Sequence, residues 1–170
     1  WSSDVCSSDL PQEWEESIPV YQDGRDLPQD SEMLGFDMDA VFSAVRNGRR
    51  YVAIHLLDDW PYTSGAGAIS WKIIVDIDGD DREDFRIQNF DVWNLYLPEG
   101  DDVYAHRHTV LGVEKTRVGT TIEFSFPPTF EPLAARYPDF RFTDADYRWR
   151  FITNQQQDGL DGTDYFSPES

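Results

Sequence analysis

The stretch AVFSAVRNGRRYVAIHLL, Ala40 to Leu57, decides the fold. Two runs rich in β-branched and aromatic residues, 40–46 and 50–57, flank Asn47-Gly48. Asn-Gly is the strongest short-range hairpin signal, because both residues tolerate the positive φ that a tight turn demands. In the second run Val52, Ile54 and Leu56 alternate with Ala53 and His55, the period of a strand with one buried face. A β-hairpin is predicted here.

Period two continues outward from this hairpin. Ile18 to Tyr21 is a short apolar run inside a Pro-, Gly- and acid-containing lead-in, residues 11–33, and suits an edge strand. Downstream, Trp71, Ile73, Val75 and Ile77 alternate with Lys72, Asp76 and Asp78. Phe85 to Leu97 reads as one long strand with a bend or bulge at its polar residues. Val103 to Val113, Thr120 to Phe126 and Tyr147 to Thr153 follow, and only Glu131 to Tyr137 reads as helical. Many short strands without a long helical period predict an all-β, antiparallel β-sandwich of jelly-roll-like type over 34–170, with about seven to nine strands and at most one short helix. Its core is predicted around Val41, Val52, Ile54, Leu56, Ile73, Val75, Ile122, Phe124, Trp149 and Phe151.

The chain has 170 residues and a net charge of −19, from 33 acidic and 14 basic side chains. That length fits one domain with a sizeable core. Aromatic residues at 15% can close that core, which excludes global disorder despite the charge. No apolar run reaches the roughly 18 residues that span a bilayer. The acidic field disfavours nucleic acid and anionic lipid and favours metal cations. Lysine is confined to Lys72 and Lys115; an acid-rich, lysine-poor surface suits salty or calcium-bearing surroundings. Residues 1–10, WSSDVCSSDL, resemble a translated sequencing adapter. Setting them aside removes Asp4 and Asp9, which lowers the acid count by two and leaves −17, together with Cys6, the one cysteine. On that reading an upstream domain or signal peptide has been lost by truncation, and thiol chemistry is not expected.

The sharpest chemical motif is Asp76-Ile-Asp78-Gly79-Asp80-Asp81-Arg-Glu83-Asp84, six carboxylates in nine residues with Arg82 as the local cation. Calcium takes six to eight oxygen ligands at about 2.3–2.6 Å. Alternate carboxylates on a straight strand stand about 6.6 Å apart, so the chain must curl for Asp76, Asp78, Asp80 and Asp84 to share an ion, and Gly79 permits this. The first half imitates an EF-hand loop, with Asp at positions one, three and five. The second half does not: position six is Asp81, and position twelve is Ile87, which offers no carboxylate. An EF-hand is rejected; the alternative to an ion site is a solvated acidic hairpin tip.

Trp60, Tyr62, Trp93 and Tyr96 lie in or beside expected loops and strand ends, where aromatic faces with Asn and Asp neighbours suit sugar rings; the alternative is core. His106 and His108, two apart, would share a strand face, with His55 a third candidate metal ligand, but three scattered histidines more often serve polar faces. No G-x-S-x-G elbow, P-loop or dinucleotide fingerprint occurs, so catalysis is not expected.

Taken in order, Asp37-Met-Asp39 opening the Asn47-Gly48 hairpin, Val75-Asp-Ile-Asp-Gly-Asp-Asp81 with Asp84-Phe85, and Thr121-Ile-Glu-Phe-Ser-Phe-Pro127 resemble the β-sandwich domains similar to family 9 carbohydrate-binding modules and DOMON domains. The resemblance covers Tyr21 to the C terminus. It implies a non-catalytic accessory module of an extracellular or cell-surface bacterial protein, binding carbohydrate or another extracellular ligand. DOMON relatives that bind haem use axial Met or His, and no spacing singles out Met33, Met38 or the histidines for that role. A structural spacer or protein-interaction domain is the alternative function.

Overall fold

The computed structural model describes Trp14 and residues 18–22, 38–57, 69–89, 92–155 and 158–169. Eleven strands and one short helix form among the described residues, in two antiparallel sheets. In spatial order the five-stranded sheet holds β1 (Tyr21–Gln22), β2 (Met38–Arg46), β3 (Arg49–Leu56), β9 (Thr121–Phe126) and β8 (Glu114–Val118). The six-stranded sheet holds β11 (Asp158–Gly162), β10 (Arg148–Gln155), β4 (Ile69–Asp76), β5 (Phe85–Asn89), β6 (Trp93–Glu99) and β7 (Asp102–Thr109). The helix α1 spans Glu131–Arg136, with Pro132 in its first turn, where its missing N–H costs nothing.

Asn47 and Gly48 take φ of +52° and +72° and turn β2 into β3, which pair from Arg46 opposite Arg49 to Met38 opposite Leu56. The chain then crosses to the other sheet, runs the meander β4–β5–β6–β7, and crosses back. It crosses once more between β9 and β10, which lie beside β3 and β4 respectively. Adjacent crossings of this kind stitch the sheets together and leave the β4–β5 turn at one end of the sandwich.

Two expected strands end earlier than the alternation suggests. Phe85 to Leu97 is not one bent strand but β5 and β6, paired from Asn89 opposite Trp93 to Arg86 opposite Tyr96. β4 offers partners only to 85–89, so folding back satisfies backbone groups that a longer strand would leave unpaired. Val103 to Val113 likewise ends as β7 at Thr109, and Gly112 at φ +95° redirects the chain into β8 of the other sheet. β11 has no counterpart in the periodicity reading.

The sheets share one apolar core, and all ten predicted core residues belong to it. Phe124 of β9 reaches across, with its ring 5.2 Å from Trp71, 5.7 Å from Trp93 and 6.5 Å from Phe151. Fully burying such a side chain contributes about 1.5–3 kcal/mol. A second, smaller cluster covers the outer face of the five-stranded sheet, where Trp14 packs on Ala40, Phe42 and Ala53. The Trp14 indole N–H donates to Glu123 Oε2 at 3.1 Å, which pairs a carboxylate otherwise buried beside apolar groups.

Candidate metal centre

The β4–β5 turn curls as the acidic motif requires. Gly79 takes φ +77°, and Asp81 takes φ +62°, the left-handed conformation for which an EF-hand supplies glycine at that position. The curl is held by its own carboxylates. Asp76, fully buried at the end of β4, accepts the amide N–H of Gly79 and of Asp81, both at 2.9 Å. Asp84 accepts the Ile77 N–H at 2.6 Å, Asp78 that of Asp80 at 3.3 Å, and Asp80 that of Arg82 at 2.9 Å. Ile87, at the position where an EF-hand places its bidentate carboxylate, points into the core.

Asp76, Asp78, Asp80 and Asp84 each bring one carboxylate oxygen to a common point, the four lying within 4.8 Å of one another. This cluster could hold a metal ion. Asp78 and Asp80 are exposed, Asp84 half-buried and Asp76 buried, so the cluster opens to solvent on one side. A carboxylate has about four lone-pair sites, so the one N–H accepted by each of Asp78, Asp80 and Asp84 leaves these groups able to bind a cation.

The carboxyls perturb one another. A carboxyl–carboxyl contact with Asp80, then burial and the Asp84 charge, push Asp78 above the usual aspartate range. Burial, then the charges of Asp80 and Asp76, do the same to Asp84. For Asp76 burial acts upward, but the N–H groups of Asp81 and Gly79 and the Arg148 guanidinium outweigh it and hold the carboxyl below that range. Arg148, from β10, donates to Asp76 at 3.4 Å and also to Asp81. The sequence suggests Arg82 as the local cation of the turn; the cation that contacts Asp76 and Asp81 is Arg148, from a strand 72 positions away, while Arg86 pairs with Glu83.

A cleft of about 320 Å³ adjoins the turn, lined by Ile77, Arg136, Tyr137, Asp139, Asp144 and Asp146. Tyr137 donates its hydroxyl to the Asp84 carbonyl at 3.4 Å; burial, then the Asp84 charge, raise its phenol.

Two of the four expected sugar-stacking residues, Trp93 and Tyr96, lie among the described residues. Trp60 and Tyr62 lie outside the described residues. Trp93 is 8% exposed and sits edge-on to Phe124 in the core, so it offers no open ring face to a sugar. Tyr96, also 8% exposed, lies on the outer face of the six-stranded sheet, edge-on to Tyr104 at 5.0 Å. Tyr104, 47% exposed, is the open ring of that pair, and strand alternation at an edge is the signal that could have found it. The histidines are dispersed: His55 contacts Asp39 at 3.1 Å in one sheet, and His106 contacts Glu99 at 3.0 Å in the other.

Comparisons with protein-family models, with curated proteins and with solved structures return no match for this chain.

Proposed function

We propose that the protein is a non-catalytic accessory module of an extracellular or cell-surface bacterial protein, stabilised by one calcium ion and binding carbohydrate. The observation that carries the calcium reading is the convergence of four aspartate oxygens within 4.8 Å. The diameter of a calcium coordination sphere is about 4.6–5.2 Å, while the magnesium sphere, near 4.0–4.2 Å across, would need the cluster to contract. The contact with Asp80 and burial raise the Asp78 carboxyl, and burial, then neighbouring charges, raise that of Asp84; a divalent ion would favour the ionised form of both. The accessory-module part rests on the antiparallel sandwich together with the motif resemblance, and the fold alone does not fix a ligand.

Isothermal titration with calcium tests this reading. One site per chain is expected, with weaker magnesium binding and loss of the site in Asp78→Ala. No calcium heat at neutral pH, or an undiminished signal in the variant, would remove the ion from the account.

A further inference from the structure

Beyond the Trp14 cluster, the outer face of the five-stranded sheet dips toward β8. Strand register sets Tyr51, Ser125 and Glu114 in one row across β3, β9 and β8, and Ala53, Glu123 and Thr116 in the next. These positions alternate with the core residues Val52, Ile54, Ile122 and Phe124, so they share the face turned away from the core. Ser125 is the short residue of its row. The longer Tyr51 and Glu114 flank it from strands two spacings apart, about 9.6 Å at roughly 4.8 Å each. A cavity of about 260 Å³ results, lined by Tyr51, Glu114, Thr116, Glu123 and Ser125. It is reachable from solvent, since Glu114 and Thr116 are exposed and Tyr51 is partly exposed.

The lining sets one aromatic ring among oxygen groups. Glu123, only 7% exposed, is held in place by the Trp14 indole N–H. Ser125 Oγ accepts the Arg49 Nε–H at 2.5 Å, and Arg49 also donates to the carbonyls of Ser125 and Gly112. Arg49 therefore braces Ser125 without lining the cavity, and no Lys or Arg is among the lining residues. Two carboxylates with no lining cation repel an anionic ligand. They suit one that brings several O–H donors, and the phenol ring suits one that also carries an apolar C–H face.

We infer that this pocket binds one ring of a neutral polysaccharide. Tyr51 supplies the apolar surface on which pyranose C–H groups pack, Glu114 and Glu123 accept sugar hydroxyls in charge-assisted hydrogen bonds, and Thr116 both donates and accepts. The volume falls just below the range of about 300–1,000 Å³ usual for small-molecule sites, which suits a single ring. Because β8 is an exposed edge strand, the rest of the polymer can leave across it into solvent. A uronate or sulfated sugar would set its charge against Glu114 and Glu123. The inference rests on the carbohydrate reading above and gives it a pocket and a ligand class, on the opposite sheet from the acidic turn.

Affinity electrophoresis in gels containing laminarin, galactomannan or hydroxyethyl cellulose tests it. At least one of these neutral polymers should retard the protein, whereas the acidic polymer hyaluronan should not. Tyr51→Ala should abolish the retardation, and Glu114→Ala should weaken affinity about tenfold, the loss expected for a hydrogen bond to a charged group. If Tyr51→Ala fails to fold, Glu114→Ala, at an exposed edge-strand position, carries the test by itself. Unchanged retardation of the folded variants would overturn this pocket but leave carbohydrate binding standing. Equal or stronger retardation by hyaluronan would overturn the neutral class, and retardation by no polysaccharide would end both the pocket and the carbohydrate reading.

Discussion

Arg50 is a fully buried guanidinium on the core face of β3. It donates to the carbonyls of Phe142 at 2.9 Å and Asp144 at 2.7 Å, to Ser43 Oγ at 3.1 Å and to Glu169 at 3.3 Å. It therefore ties the first hairpin to chain more than ninety positions downstream. Arg50→Met keeps much of the volume but strands those two carbonyls, at about 1–3 kcal/mol each, so chemical denaturation should show a loss of at least that size. Loss of no more than a few tenths would mean that water or another donor replaces it. Nothing in the local sequence marked Arg50, because an arginine beside a hairpin turn reads as solvent-facing. Trp14 and Arg148 were illegible for the same reason: their partners, Glu123 and Asp76, lie 109 and 72 positions away. The four aspartates were legible, since a site built within nine residues needs only a local curl, and Gly79 announced one.

At the scale of elements, the acidic turn makes stability depend on pH in two directions. Asp78 and Asp84 are raised above the usual value of 3.8, so the folded state holds their protons more tightly. Their contribution therefore falls as pH rises from 3.8 through the raised folded values. Asp76 is lowered, so its contribution is complete above 3.8 and is lost as pH falls through its folded value. Without metal, mild acidification from neutral toward pH 5 should leave the melting temperature level or raise it; with saturating calcium it should lower it, because protons then compete with the ion. Identical pH profiles with and without calcium would contradict a site at these residues. Period two was readable for nearly every strand, yet the breaks within 85–97 and 103–113 were not. Both are set by how far a neighbouring strand extends and by a crossing between sheets, which are tertiary facts.

For the whole molecule, the predicted sandwich and its core emerged from alternation alone, because the inward faces of both sheets are dominated by large apolar side chains. Function was less legible. The aromatic residues that suggested sugar stacking include Trp93, which the core uses. The central claim is that calcium closes the turn at the end of this sandwich, and thermal melting in calcium against chelator tests it most directly. At calcium one hundredfold above its dissociation constant the folded state gains about 2.7 kcal/mol, which for a domain of this size raises the melting temperature by about 5–11 °C. Magnesium should do less, and Asp78→Ala should abolish the rise while leaving the metal-free protein no less stable. A melting temperature indifferent to both calcium and chelator would contradict the account and return the turn to a solvated acidic hairpin tip.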